Sequence, residues 1–336
     1  GGLSNRNLII NGAMQVAQRG TSATGLTSSG YRTVDRFREA MGSLGTFTVT
    51  QSTDAPNGFA TSLKYECTTA QASPPASSWQ ILEQRIEGYN LQGVAKGTPD
   101  AKELTLSFWC KSNKAGDIQV NLFDLDNSRM NSRVVSINSA NTWEYKTKTF
   151  DADTVGVFDN DNAGSLRLEI FLDSGSNYTT GTTPSTWEAA ATADRGVGTT
   201  LAIADTVGNT FQITGVQLEV GDTATPFEHR SYGDELQRCQ RYYYEAELTT
   251  AWFNDGYLST NGFSVQSIPF PVSMRAKPTA TGDMSTNWVT SNVVTQFINS
   301  YNNSSGSWQI RASATGRAYS YYNANDGATL KFDAEL

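Results

Sequence analysis

Apolar residues along this chain recur mostly at every second position, in short runs broken by Gly, Asn, Asp, Pro and Ser. That is the period of strands with one buried face. Phe47–Gln51 and Ser62–Thr68 alternate cleanly around the turn cluster Asp54-Ala55-Pro56-Asn57-Gly58. Asn7–Ile10 reads as a strand ended by the Asn11-Gly12 turn, residues 20–30 as loop, and Tyr31–Ala40 as a further strand. The pattern then predicts strands over Trp79–Ile86, Leu104–Lys111, Ile118–Asp124, Arg133–Ile137, Glu144–Phe150 and Leu166–Leu172, with a helical turn at Tyr89–Gly93. Many short strands at this spacing predict a sandwich or jelly roll.

The stretch Phe211–Glu247 organises the rest. Phe211 and Ile213 share one strand face, whereas Val216, Leu218 and Val220 continue on even positions, so the phase flips at Thr214-Gly215, as a β-bulge requires. Ser231 to Asp234 has the spacing of a helix N-terminus. Tyr232, Leu236, Cys239 and Tyr243 then form an apolar stripe at helical spacing. A helix this short is unstable alone in water. The stripe is therefore expected to bury on its own sandwich, or on the same helix of neighbouring copies around a three-fold axis. Beyond it, weakly alternating segments from Ser264 to Asn323 are separated by Asn-, Ser- and Gly-rich turns. The expected organisation is all-β: a jelly-roll-like β-sandwich over residues 1–230, a helical junction over 231–250, and a smaller β-rich tip domain over 251–336.

Composition narrows the chemistry. At 336 residues two domains are expected rather than one. A net charge of -8 with only 25 Lys and Arg, and no basic run, argues against nucleic acid as a partner. No apolar run approaches the ~20 residues of a membrane-spanning helix, and the N-terminus lacks a signal-peptide pattern. Cys67 and Cys110 fall on buried strand faces and Cys239 on the helix stripe, so all three read as core thiols, with a Cys67–Cys110 bridge as the alternative. Free thiols fit synthesis in a reducing cytoplasm.

Catalytic patterns are missing. His229 is the single histidine, it sits between Glu228 and Arg230, and no nucleophile elbow accompanies it, so a structural role is expected. Acidic pairs such as Asp124 with Asp126 occur by chance among 33 carboxylates and read as strand ends rather than a glycosidase pair. Asp159–Gly164 resembles the start of a calcium loop, but Ala163 holds the fifth position and Ile170 the twelfth. No metal site is assigned and no cofactor is expected; a looser structural calcium stays open, with a plain turn as the simpler reading.

Aromatic residues beside amides carry the remaining signal, because sugars offer flat C–H faces that stack on rings. The candidates are Trp252, Tyr257, Trp288, Tyr301 and Trp308, with Asn254, Asp255 and Asn302 as polar partners. Two or three of these rings are expected in the core instead. The rival location is the long connection 173–200, with Tyr178 and Trp187, since loops of that length are usually functional or ordered by their own side chains.

The segment VQLEVGDTATPFEHRSYGDELQRCQRYYYE resembles the junction of bacteriophage tail-fibre and receptor-binding proteins, and NLIINGAMQVAQRG and WQILEQRIEGYNLQG followed by LTLSFWCKS agree with it. The resemblance covers about Asn7 to Glu247 and is loose beyond. It implies a virion tail-appendage subunit, a homotrimer, made in the host cytoplasm, that contacts other virion tail proteins and a host-surface glycan or protein without catalysis. It carries over no catalytic residues. The alternatives are a carbohydrate-binding module of a secreted glycan-active enzyme, or a purely structural fibre adaptor. With the attachment segment at the N-terminus, the C-terminal domain is expected to meet the host.

Overall fold

A computed structural model of the chain describes residues 5–247, 253–282, 288–300, 302–322 and 329–336. It is nearly all β, with 48% strand and 7% helix. The chain divides into two compact units, residues 1–235 and 236–336.

The first unit holds β1 (Ser22–Tyr31), β2 (Arg38–Ser52), β3 (Ser62–Thr69), β4 (Trp79–Glu87), β5 (Leu104–Ser112), β6 (Gly116–Asp124), β7 (Arg129–Ile137), β8 (Glu144–Phe150), β9 (Gly164–Ser174), the two-residue β10 (Glu188–Ala189) and β11 (Thr210–Val220). Their hydrogen-bonded order is β10-β7-β6-β9-β4-β2-β3-β11-β5-β8, with β1 beside β2. The long β2 makes this one ladder into two layers. Its first part, Arg38–Gly42, pairs with β4, and its second, Thr46–Ser52, pairs with β3. Between them Ser43 and Gly45 take positive φ of 54° and 60°, which turns the strand from one layer to the other. The layers enclose a single core: Leu82, Val120 and Leu168 from one side, Phe47, Tyr65, Phe108 and Phe211 from the other, all buried. All three cysteines are free and buried.

The predicted bulge is present. β11 pairs Thr214 with Trp109 and next Gln217 with Ser107, and Gly215 sits at φ 62° with the Phe59 ring packed over it. Phe211, Ile213, Val216 and Leu218 are consequently all buried.

Three local expectations need correction. Residues 20–30, read as loop, contain β1; as an edge strand paired only to β2 it is mostly solvated, so it shows no apolar alternation. The strand expected over Tyr31–Ala40 is interrupted, because Arg36 takes a positive φ of 70° and buries its side chain to donate to the Arg85 carbonyl at 2.7 Å. Asn7–Gly12 is irregular rather than a strand. Leu8 N–H donates to Leu218 O and Val216 N–H to Gly12 O, each a single bond, while Asn7 and Asn11 hold the backbone through their amides. A Cβ at Gly12 would lie 2.1 Å from Val216 O, so only glycine fits there.

The helix α1 (Tyr232–Gln240) is nine residues long, and Asp234 N–H donates to the Ser231 hydroxyl at its start. In the second unit β12 (Tyr243–Glu247) follows, inside the stretch read as a junction, and then β13 (Phe253–Leu258), β14 (Phe263–Pro269), β15 (Thr279–Gly282), β16 (Trp288–Ser291), β17 (Val293–Ser300), β18 (Ser305–Ala312), β19 (Gly316–Tyr322) and β20 (Thr329–Asp333). They form three three-stranded sheets, β12-β20-β15, β13-β19-β16 and β14-β18-β17. Trp308, Ile310, Met274 and Phe332 centre a small core.

Candidate functional site

On β2, β4, β9 and β6 the side chains that do not enter the sandwich core point to the outer face of the first layer, and many are charged. Cross-strand register aligns Arg38, Glu83, Glu169 and Asn121 in one row and Ala40, Ile81, Phe171 and Gln119 in the next. Such a row would ordinarily be solvated. Here the connection 173–200 covers part of it. Gln119 donates to Asp194 O at 2.8 Å and accepts from Gly198 N–H at 2.8 Å, and Asn121 donates to Arg195 O at 2.9 Å. β10 pairs with β7, and short 3-10 turns form at Ser176–Tyr178 and Thr192–Asp194. The long connection is thus ordered by amides projecting from β6.

Where that cover ends, a groove opens. Its cavity of about 190 Å3 is bounded by Ser29, Arg38, Ala40, Trp79, Ile81, Glu83, Arg167, Tyr178 and Arg195. Trp79 and Tyr178 form its aromatic wall with ring centroids 5.9 Å apart, both half-buried, and Phe171 lies 6.0 Å behind Tyr178. Neither the Trp79 indole N–H nor the Tyr178 hydroxyl bonds another described residue. Opposite stands a ladder of ion pairs. Arg38 meets Glu83 at 2.6 Å, Arg167 meets Glu169 at 2.5 Å, and Arg195 meets Glu169 at 2.6 Å. Arg85 and Arg167 approach Glu83 at 3.5 and 3.8 Å. Arg195 also lies over the rings of Phe171, Phe123 and Tyr178 at 5.5, 5.6 and 6.0 Å. Burial alone would push the Glu169 carboxyl up, but Arg167, Arg195 and Asn121 together outweigh it and hold it below the usual range.

Trp79 depends on a glycine across the ladder. Gly42 is its partner on β2, and a Cβ there would fall 2.7 Å from the indole. Gly42→Ala is therefore expected to cost about 1–3 kcal/mol by overpacking. Thermal melts should show most of that loss recovered in the Gly42→Ala/Trp79→Ala double variant; equal losses in both would mean the ring is not what Gly42 accommodates.

Of the residues singled out from sequence, Tyr178 alone is in this groove. Trp187 plugs the fold instead: its indole donates to Asp151 O at 2.7 Å and Lys96 lies 5.3 Å over its ring. In the second unit Trp308 is fully buried, because β18 turns Gly306, Trp308 and Ile310 inward and Ser307 and Gln309 the other way, so it offers no stacking face. Asn254 is also interior, donating to Trp308 O at 3.1 Å and accepting from the Ser264 hydroxyl at 2.6 Å. Both were expected as ligand residues and are corrected to structural ones. Asp255 is paired with Arg317 at 2.7 Å, and Asn302 caps a turn by accepting from Ser304 and Ser305 N–H. Tyr257 is 81% exposed. Trp252, Tyr301 and the Trp288 side chain lie outside the described residues. The helix stripe divides as well: Cys239 and Tyr243 are buried within the chain, Leu236 is half-buried and Tyr232 is exposed, which leaves Tyr232 and Leu236 to face anything else.

A second concavity, of about 440 Å3, lies on the other layer against the bulge and is lined by Phe59, Trp109, Tyr145, Phe227 and His229 among others. His229 packs with its ring 4.9 Å from Phe227 and 5.3 Å from Phe59. At Asp159–Gly164 the Asp161 carboxylate accepts from Ala163 N–H at 2.8 Å, a turn, and no cluster of three metal-binding side chains occurs among the described residues.

No protein-family model matches the chain, and no curated protein matches it. Among solved structures it is similar to the enzymatically active domain of bacteriophage CBA120 tailspike protein 4, at 15% identity and a TM-score of 0.33, over 64% of this chain and 21% of that one. It is also similar to TmCBM61, solved with beta-1,4-galactotriose, at 13% identity and a TM-score of 0.30, over 64% of this chain and 99% of that one. A third is the C-terminal family 22 carbohydrate-binding module of Clostridium thermocellum Xyn10B, at 12% identity and a TM-score of 0.32, over 66% and 99%. Likeness of that degree transfers neither a ligand nor a role to this chain.

Proposed function

We propose that this protein is a glycan-binding subunit of a bacteriophage tail appendage, and that it holds a sugar in the outer-face groove of its first unit without catalysis. The observation that carries the binding reading is the Trp79–Tyr178 wall, half-exposed, with hydrogen-bonding groups unspent, opposite fixed polar side chains across a small cavity. The virion setting rests on the resemblance of Asn7–Glu247. Hydrolysis is disfavoured because Glu83 and Glu169 are both buried behind the arginines they pair with. A glycosidase needs one acid held protonated, whereas Glu169 is held below the ordinary range by its arginines. On this reading host contact is assigned to the first unit rather than to the C-terminal tip.

The test is binding of the whole protein to host-surface polysaccharide and to an oligosaccharide array, beside Trp79→Ala and Tyr178→Ala. Each truncation is expected to cost about 2 kcal/mol, roughly 30-fold in affinity, as for a central aromatic anchor. Binding that ignores both substitutions would move the site elsewhere; absence of any glycan binding would sink the functional reading. Homotrimeric assembly belongs to the same proposal. It is supported by apolar side chains left exposed on the second unit, Phe263 at 53%, Val265 at 50% and Val294 at 54%. Light scattering should give a trimer mass; a monomer would favour the detached carbohydrate-binding module.

A further inference from the structure

We infer that the groove selects an acidic glycan, one whose sugars carry a carboxylate or an equivalent anionic ester, over its neutral counterpart. This rests on the groove being a sugar site. The ion-pair ladder is unbalanced: Arg38, Arg85, Arg167 and Arg195 share only Glu83 and Glu169, which leaves a local excess of positive charge on a protein of net charge -8. The imbalance also faces the cavity. The two glutamate side chains are 3% and 0% exposed, whereas Arg38 is 27% and Arg195 19% exposed, so guanidinium edges rather than carboxylates meet the ligand. The Arg38 guanidinium spends one nitrogen on Glu83 and makes no other hydrogen bond among the described residues. A guanidinium has five N–H donors in a planar fork suited to bidentate contact with a carboxylate or phosphate.

Orientation is settled before the ligand arrives. Arg167 lies 4.8 Å over Phe123, and Arg195 is held by Glu169 and by the rings beneath it, so little rotamer freedom is left to lose on binding. A neutral sugar entering the groove would displace water from these cations and return only neutral acceptors. An acidic sugar supplies a C–H face for Trp79 and an anion for Arg38 and Arg195 together, across one cavity.

The experiment uses the full chain against matched pairs of oligosaccharides: uronate and hexose, sialylated and desialylated, sulfated and unsulfated, phosphorylated and unphosphorylated. The expected result is at least tenfold tighter binding of the acidic member in one or more pairs, lost when a carboxylate ligand is methyl-esterified and reduced in Arg38→Gln. The pairs separate carboxylate from sulfate and phosphate as the source of the anion. Esterification leaves the protein untouched, so a folding defect in Arg38→Gln would not confuse the outcome. Equal affinity for acidic and neutral members, still lost in Trp79→Ala, would overturn the charge inference and leave the sugar site standing. Binding to no member of any pair would overturn both.

Discussion

Lys96→Met should destabilise the first unit by about 3–5 kcal/mol, the usual result of removing one partner from a buried ion pair. Lys96 is 1% exposed and meets Asp124 at 2.5 Å and Asp153 at 3.1 Å, whose side chains are 0% and 3% exposed. Its ammonium also donates to Val155 O and Gly156 O at 2.8 and 2.7 Å. All three donors of the ammonium are thereby in use. Methionine keeps the stem packed near Phe158 and Trp187 but leaves Asp124 without a cation and two carbonyls without a donor; Arg129 still holds Asp153 at 2.8 Å. For a unit of 235 residues this corresponds to a fall in melting temperature of roughly 6–20 °C. Calorimetry on the whole chain would check it. A shift of a degree or two would show that the site relaxes by admitting water.

Lys96 also explains why Trp187 looked like a ligand residue in the sequence. A Trp in a polar, Gly- and Thr-rich connection is what an exposed stacking site presents, and nothing local reveals a lysine some ninety positions earlier beneath it. The groove was hidden by the same distance effect. Arg38, Trp79, Glu83, Arg167 and Arg195 come from four separate segments, and each alone reads as an ordinary strand or loop residue. A signal did exist: Trp79, Ile81, Glu83 and Arg85 alternate with the core residues Leu82 and Ile86, so the second face of β4 was already marked as neither plainly solvated nor plainly core. Trp308 was similarly legible. It shares a strand face with Ile310, and that alternation outweighed its Asn- and Ser-rich flanks.

The bulge was readable because a phase flip beside glycine has few other meanings. The three stretches that carry the tail-fibre resemblance also have a structural explanation, since they meet in space. Asn7 accepts from Leu218 N–H and donates to Val216 O, both at 3.1 Å, and its own N–H donates to Glu228. Ile10 and Gln84 exchange two hydrogen bonds, and Asn11 N–H donates to Glu235. β5 pairs along β11 on its other edge. Most of these are side-chain bonds to backbone groups that have no strand partner, made here by Asn, Gln and Glu. In this chain the three stretches form a structural clasp, and the proposed sugar groove draws only Trp79, Ile81 and Glu83 from them.

Stability of the first unit should fall as pH rises from about 6 to 8, because of Glu39. This side chain on β2 is fully buried, and neither carboxyl oxygen has a hydrogen-bond partner among the described residues. Burial pushes its pKa up to about 8, against the smaller pull of its own backbone N–H dipole and of the Arg32, Arg19 and Arg38 charges. Between the ordinary value of 4.5 and about 8 the unfolded chain has lost this proton while the folded chain keeps it, so stability declines with pH. The slope is about 1.4 kcal/mol per pH unit, and the decline levels off above pH 8. Asp173, pushed up to about 6 by burial, adds the same sign only at lower pH. The carboxyls held low, Asp54, Glu144, Asp153, Glu169, Asp205 and Glu228, act in the opposite direction below about pH 4.5. The window from 6 to 8 therefore isolates Glu39 among the carboxyls. Glu39→Gln, isosteric with the protonated acid, should match the wild type near pH 5 and exceed it by several kcal/mol at pH 8. Hydrogen exchange of the β3 and β5 amides at matched intrinsic rates would report this for the first unit alone. Parallel pH slopes in the two proteins would show that Glu39 is not the group whose proton is held.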